Sequence, residues 1–250
     1  MKHKLLIILC LLSIVSCQLS IGHAKPYSVT ILGEYGYNTT WEHFGGGEVR
    51  ANLPFNDYFE LDVAAEALSS RVFTGSVTAR PTFPLPVGEL FLDGTMLYKN
   101  IHRNRVADFV MAASLGYRMD YVSVQFGTFC QIFGDLDYDY HMLGTYSVDP
   151  FNVLYRVQVN TRPYKSPWNI YFGASDYTEL EYERHWQPIF FLGAHYDLPF
   201  YNVFSRSDNL RGNTRNIRLL AEVYCKPTGM FHLDASFYGI KAKVGVAVRF

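Results

Sequence analysis

The sequence predicts an all-β protein: a closed antiparallel transmembrane β-barrel of about 14 strands, with 12 strands as the alternative. Three observations predict this fold. Apolar and polar residues alternate along many segments of about ten residues, the charged residues fall on the polar face of those segments, and aromatic residues are abundant, with 19 Tyr, 19 Phe and 3 Trp among 250 residues. Side chains of a strand point alternately to the two faces of a sheet. A barrel in a membrane needs an apolar outer face and has a polar interior.

The clearest alternation lies in the last eleven residues, 240–250. The polar face of this segment carries Lys241, Lys243 and Arg249, and charged side chains need water or partners. The opposite face is apolar throughout and consists of Ile240, Ala242, Val244, Val246, Val248 and Phe250. This pattern predicts a strand with one wet face and one dry face.

The same segment resembles the terminal strand of Gram-negative outer-membrane barrels. That strand has a polar residue, a glycine and two alternate apolar residues, the last of which is a C-terminal Phe; here these are Lys243, Gly245, Val248 and Phe250. The resemblance implies that these four residues form the signal recognised by the barrel-insertion machinery. It further implies a location in the cell outer membrane, with outer-membrane lipid and that machinery as partners, and it leaves the oligomeric state open.

The amino terminus predicts export. A basic head, residues 1–4, precedes an apolar run from Leu5 to Val15. The run is shorter than the about 20 residues of a membrane-spanning helix, and the combination is typical of a secretory signal peptide. We expect cleavage after Ala24, which ends a small-x-small motif, and lipidation at Cys17 is the alternative. Residues 1–24 are thus predicted to be a signal peptide and residues 25–250 a single barrel domain.

Composition argues against several classes of function. Without the leader, which carries Lys2 and Lys4 and no acid, 20 basic residues face 23 acidic ones, a net charge of −3. A nucleic-acid-binding domain would be clearly basic, so no nucleic-acid partner is expected. Beyond the leader only Cys130 and Cys225 remain. Their spacing is not that of a metal site, we expect no disulfide between them, and no cofactor is predicted.

The predicted strands alternate with turns along the whole chain. A barrel with both ends in the periplasm has an even number of strands. If residues 133–150 formed a loop, the count would be 13, so we predict a strand over 138–147 and a turn at Asp149-Pro150. A count of 12 requires 231–238 to be a loop. The predicted strands are 27–37, 48–53, 59–67, 73–83, 90–98, 108–118, one that begins at Val122, 138–147, 151–162, 168–177, 189–198, 217–225, 231–238 and 240–250.

The predicted connections also have consequences for the fold. The glycine-rich segment 38–46 is predicted to be a loop, and the polar stretch 201–215 is placed on the outer side, away from the chain ends. The main alternative fold, a soluble periplasmic β-sandwich, has a polar outward face. Here the outward face stays apolar along whole strands, which favours the barrel.

The inward face carries the candidate functional residues. Strand 59–67 offers Glu60, Asp62 and Glu66, and strand 151–162 offers Arg156 and Arg162. In a 14-strand barrel these two strands lie nearly opposite each other, so acids would face bases across the lumen. The resulting transverse field would suit a pore for small polar solutes; the alternative is that the charges pair and plug the barrel. The full set of predicted pore-lining residues is Glu60, Asp62, Glu66, Arg80, Arg156, Arg162, Lys241 and Lys243.

Two further functions remain as alternatives to a porin-like or structural barrel. A lipid-modifying enzyme would need a nucleophile and a base, and His232, Asp234 and Ser236 share one face, as do His195 and Asp197. Residues two apart on a strand are about 6.6–7 Å apart, so a whole triad on one strand has poor geometry, and we predict no enzyme. Segments 216–224 and 233–239 resemble the closing strands of barrels linked to exopolysaccharide secretion.

Overall fold

The structure is a computed structural model that describes residues 27–38, 42–69, 72–101, 106–136, 142–175, 188–198, 217–226 and 239–249. Within these residues the chain forms twelve strands in one closed sheet. The strands are β1 (Ser28–Asn38), β2 (Glu42–Asn56), β3 (Phe59–Leu68), β4 (Val72–Pro84), β5 (Glu89–Ile101), β6 (Val106–Arg118), β7 (Val122–Leu136), β8 (Met142–Asn160), β9 (Trp168–Ser175), β10 (Ile189–Asp197), β11 (Ile217–Cys225) and β12 (Ile240–Arg249).

The first and last strands close the barrel. They pair antiparallel from Ser28 opposite Arg249 to Tyr37 opposite Ile240. The other strands pair with their neighbours in sequence, so the sheet is an antiparallel meander. Because the number of strands is even, β1 begins and β12 ends at the same rim, which we call the terminal rim; the opposite end is the far rim. The predicted fold class, a closed antiparallel barrel, is confirmed.

The predicted count of 14 strands is wrong, and the alternative of 12 is confirmed. Residues 142–147 and 151–160 of the two predicted strands 138–147 and 151–162 belong to the single strand β8, and the predicted turn at Asp149-Pro150 lies inside it. The register between β7 and β8 shifts between Phe129 and Gln131, where β8 has one residue more than β7. This is a β-bulge, and bulges accommodate proline because they interrupt the hydrogen-bond ladder.

The end of the chain also differs from the 14-strand prediction. The predicted strand 231–238 lies outside the described residues, and β11 pairs directly with β12. As a result β10 ends and β11 begins at the terminal rim, where the N–H of Leu198 donates to the carbonyl oxygen of Ile217 at 2.9 Å. The stretch 201–215, which was predicted to lie on the outer side, is outside the described residues.

The glycine-rich segment 38–46 is not all loop, because β2 begins at Glu42. Gly46 pairs with Glu34 on one side and with Leu68 on the other. A Cβ atom at Gly46 would lie 2.4 Å from the carbonyl oxygen of Ala67. The glycine thus permits a close approach of two strands rather than a turn.

Side-chain burial is the reverse of that in a soluble protein. On the outward face Ile31 is 62% exposed, Phe126 65% and Val244 64%. On the inward face Asp93 is 1% exposed and Asp108 0%. In water, exposed apolar side chains and buried carboxylates would both be unfavourable. A barrel surrounded by lipid requires an apolar outer face and a polar interior. The predicted apolar outer face and polar inner face are confirmed.

Two smaller features complete the fold. No helix in the described part of the chain is long and apolar enough to cross a membrane. Cys130 in β7 and Cys225 in β11 form no disulfide with each other in the structure.

The barrel lumen as the candidate functional site

A cavity of about 360 Å³ lies inside the barrel, and side chains from nine of the described strands line it. Hydroxyl groups of β4 and β5, among them those of Thr74 and Thr95, line it together with charged groups. Because this lining is polar, the cavity is suited to hold water. The charged lining residues are Glu48, Arg50, Asp62, Glu66, Lys99, Arg156, Glu222, Lys241 and Lys243, and five of them (Asp62, Glu66, Arg156, Lys241 and Lys243) are predicted pore-lining residues.

Two lysines of β12 join the last strand to the first three. The Nζ atom of Lys243 donates to Glu48 at 2.6 Å and to Glu66 at 3.2 Å, and it lies 3.5 Å from Glu34. The Nζ atom of Lys241 lies 3.3 Å from Glu66 and 3.7 Å from Glu34. We call these five residues the seam cluster, because they span the line along which the barrel closes.

A second group of charges surrounds Arg80 of β4. Its Nε and Nη2 atoms donate to the two carboxylate oxygens of Asp93 at 2.6 and 2.8 Å, a bidentate pair. Its Nη1 atom donates to Glu60 at 3.1 Å and to Asp62 at 3.4 Å. Gln125 of β7 also donates to Asp93, at 2.9 Å. The structure thus brings the predicted residues Glu60, Asp62 and Arg80 together in one Arg80 cluster.

The acids of β3 are therefore paired differently from the prediction. Their bases lie on β4 and β12, not on the strand that carries Arg156. The guanidinium of Arg156 lies 4.7 Å from the ring centroid of Phe191. Arg162 follows the end of β8, lies 3.4 Å from the ring centroid of Trp168 and does not line the cavity. Arg156 nevertheless lines the same cavity as Asp62 and Glu66, on a strand that is five positions from β3 in the ring of twelve.

Sequence reasoning missed a hydrogen-bonded group on β9 and β11. The hydroxyl of Tyr171 donates to Glu222 at 2.6 Å, and the hydroxyl of Tyr224 donates to the other carboxylate oxygen at 2.8 Å. Glu222 also interacts electrostatically with Arg50 and Arg156. Alternate positions on predicted strands 168–177 and 217–225 could have placed these side chains inward, but not in contact with one another.

Inward aromatic rings lie against glycines of the neighbouring strand. A Cβ atom at Gly193 would lie 2.3 Å from Cζ of Tyr171, and one at Gly173 would lie 2.6 Å from Cζ of Phe191. Aromatic rings that cover a strand glycine in this way stabilise a sheet. They also keep the rings close to the wall and away from the barrel axis. The four such pairs among the described residues are Gly36–Phe44, Gly116–Phe91, Gly173–Phe191 and Gly193–Tyr171.

The histidine considered for catalysis lies at the terminal rim. His195 donates from Nε2 to the carbonyl oxygen of Ser166 at 3.2 Å. Asp197 instead accepts from Nη2 of Arg218 at 3.0 Å. In the described part of the chain, no hydrogen bond joins His195 and Asp197. The second candidate group, His232 with Asp234 and Ser236, lies outside the described residues.

The four residues of the proposed insertion signal have different surroundings. Lys243 belongs to the seam cluster, and Val248 pairs with Val29 of β1. A Cβ atom at Gly245 would lie 2.0 Å from the carbonyl oxygen of Ile31, so the glycine allows the closing strands to approach. Phe250 lies outside the described residues. Recognition of this segment by the insertion machinery stays a prediction.

Comparison with known proteins identifies similar folds. No protein-family model and no curated protein matches the sequence. Among solved structures, the chain is similar to the KdgM porin in complex with disordered oligogalacturonate, at 10% identity and a TM-score of 0.51 over 89% of this chain and 99% of that one. It is similar to the NanC porin at 8% identity and a TM-score of 0.52 over 89% and 100%.

A third similar structure is the translocator domain of the autotransporter NalP from Neisseria meningitidis, at 12% identity and a TM-score of 0.50 over 100% of this chain and 97% of that one. At these identities the likeness concerns the fold. Together with the apolar outer face and the charged interior, it supports a location in the outer membrane. The chain has the fold of an outer-membrane β-barrel, in its described residues a closed antiparallel barrel of twelve strands.

Proposed function

We propose that the protein is a porin-like channel of the outer membrane that passes small polar solutes. The observation that carries this proposal is the cavity of about 360 Å³ within the lumen, lined by charged and hydroxyl side chains from nine strands. A polar, water-holding interior provides a path that the lipid around the barrel does not.

The arrangement of the ion pairs supports an open lumen over a plugged one. The Arg80 cluster joins the neighbouring strands β3, β4 and β5. The seam cluster joins β12 to β1, β2 and β3, again within one sector of the wall. Charges paired within one sector of the wall neutralise one another, and the cavity of about 360 Å³ that they line leaves room for solute.

The similar structures agree with this function. KdgM and NanC are named as porins, and the KdgM complex contains an oligogalacturonate, which is a polar solute. We extend the role of a porin to this chain, but we do not extend the oligogalacturonate ligand of KdgM to it. We further propose that residues 1–24 are removed as a signal peptide, and that outer-membrane lipid and the barrel-insertion machinery are the partners of the barrel.

A liposome-swelling assay with the purified full-length protein tests the function. We expect liposomes containing the protein to swell in glycerol and in a monosaccharide, and more slowly in a trisaccharide, because the cavity has the size of a small-molecule site. Liposomes with heat-unfolded protein are the control. Swelling no faster than that of the control, with protein that is folded, would contradict the proposal.

A further inference from the structure

We infer that the central cavity contains a binding site for small organic monocarboxylates with an apolar body, in which Arg156 binds the carboxylate and an apolar wall contacts the body. The apolar wall consists of Leu97, Val110, Ala112, Phe129 and Leu154, which line the same cavity as Arg156. The inference rests on the proposed function, because the site lies in the path proposed for solutes.

Arg156 differs from the arginines that are held in ion pairs. Arg50, Arg80, Arg118 and Arg218 each have a carboxylate within ion-pair distance. Of the side chains that the structure describes, none brings a carboxylate that close to Arg156. Its one hydrogen bond to these side chains, from Nη2 to an oxygen of Gln158, measures 3.3 Å. Because a guanidinium has five N–H donors, donors remain for a ligand.

The nearby acid does not occupy these donors. Glu222 interacts electrostatically with Arg156, but its two carboxylate oxygens accept hydrogen bonds from Tyr171 at 2.6 Å and from Tyr224 at 2.8 Å. Among the described residues no ion pair joins Glu222 to Arg156, so the N–H groups of Arg156 stay accessible to a carboxylate that enters the cavity.

The guanidinium is held in a fixed place. Its Cζ atom lies over the ring of Phe191, 4.7 Å from the centroid. That ring in turn lies against Gly173, where a Cβ atom would come within 2.6 Å of Cζ. The ring of Phe191 therefore supports the guanidinium on one side, and the planar N–H fork of an arginine matches the two oxygens of a carboxylate.

The apolar wall supplies the second half of the site. Val110 and Leu154 are 1% exposed and Phe129 is 2% exposed, and they pack together as one cluster with Leu97 and Ala112 against it. Leu154 and Arg156 lie two residues apart on the same face of β8, about 6.6–7 Å along the strand. Leu97 and Ala112 are only partly buried and line the cavity, so water beside them is released at a gain in free energy when an apolar group replaces it.

A binding experiment with hexanoate tests the site. Titration of the purified full-length protein in detergent should show saturable binding of hexanoate. Hexanamide keeps the apolar body but has no charge, and acetate keeps the charge but has almost no apolar body. Each should bind at least about tenfold more weakly than hexanoate. Arg156→Gln should weaken hexanoate binding by about tenfold or more. Arg162→Gln, the same change outside the cavity, should leave it unaltered.

Additional variants keep the test decisive. Arg156→Lys retains a charge without the planar fork, and we expect hexanoate binding between those of the wild type and Arg156→Gln. If Arg156→Gln fails to fold, this variant and the comparison of hexanoate with hexanamide decide the question. Equal binding of hexanoate and hexanamide, or unchanged hexanoate binding by a folded Arg156→Gln variant, would overturn the inference.

The test separates this inference from the proposed function. Protein that conducts ions in a bilayer but does not bind hexanoate would overturn the carboxylate site and support the channel. Protein that binds hexanoate through Arg156 but conducts nothing would support the site and overturn the channel.

Discussion

The Nζ atom of Lys243, in the last strand, donates to an oxygen of Glu48, in the second strand, at 2.6 Å, across 195 positions of sequence. Both side chains are 7% exposed. The same ammonium also contacts Glu34 and Glu66, so one side chain connects β12 to three strands on the other side of the seam. Because a buried carboxylate that loses its partner is costly, this lysine should stabilise the closed barrel.

Replacement of Lys243 by Met should destabilise the barrel by on the order of 3 kcal/mol, because three carboxylates lose a shared cation. Folded outer-membrane barrels migrate differently from unfolded ones in gels of unheated samples, so the temperature of this mobility change measures the effect. Lys165→Met, in the exposed connection after β8, is the control and should behave like the wild type. The additional change Glu48→Gln should restore part of the stability that Lys243→Met loses. A Lys243→Met barrel that unfolds at the wild-type temperature would contradict the role of the seam cluster.

Gly193→Ala should destabilise the barrel by about 1–3 kcal/mol, as overpacked sites do. The new methyl group would meet the ring of Tyr171 at 2.3 Å. Gly94→Ala is a matched control in another strand, since a Cβ atom there would meet nothing within 4 Å. The mobility assay should separate the two variants. Equal stability of both would show that the close contact between glycine and tyrosine is unimportant.

Arg80→Gln should make the channel more selective for cations. The change leaves Asp93, Glu60 and Asp62 without the cation that they share, and uncompensated negative charge attracts cations and repels anions. The reversal potential in a KCl gradient measures the selectivity. Arg162→Gln removes an arginine that does not line the cavity and should leave the potential unchanged. A potential that does not move in Arg80→Gln would place the Arg80 cluster outside the ion path.

Met111→Lys should impair assembly and cost about 2–4 kcal/mol, because a lysine in the middle of the lipid-facing band is expensive. Met111 is 45% exposed on the outward face of β6. Tyr121→Lys, in the turn after β6 at the terminal rim, places the same charge near the membrane surface, where the cost falls to about 0–1 kcal/mol. Equal amounts of folded protein from both variants in the membrane fraction would contradict the assignment of the outward face.

Most of the barrel could be predicted from the sequence because alternation is a local property. The outward position of Phe126 and the inward position of Glu66 follow from the parity of their places in a strand. The strand count was less accessible, since Asp149-Pro150 is as typical of a turn as of a bulge. Only the pairing of β8 with β7 distinguishes the two, and that pairing is a tertiary feature.

The local sequence pattern could not predict which charged residues of the lumen pair with each other. Glu66 was predicted to face the lumen, but its contacts with Lys241 and Lys243 depend on barrel closure across more than 170 positions. Arg156 lines the same cavity as Asp62 and Glu66, but the ring of Phe191 on which it lies comes from β10, a strand that local patterns could not connect to it.

The measurement that tests an open lumen most directly is the conductance of purified, folded full-length protein in planar lipid bilayers. We expect discrete and uniform conductance steps in KCl, which heat-unfolded protein does not produce, because a polar cavity lies between the paired charges of the lumen. A barrel that inserts and shows the mobility of folded protein, yet conducts nothing, would contradict it and mean that the charges of the lumen close the path.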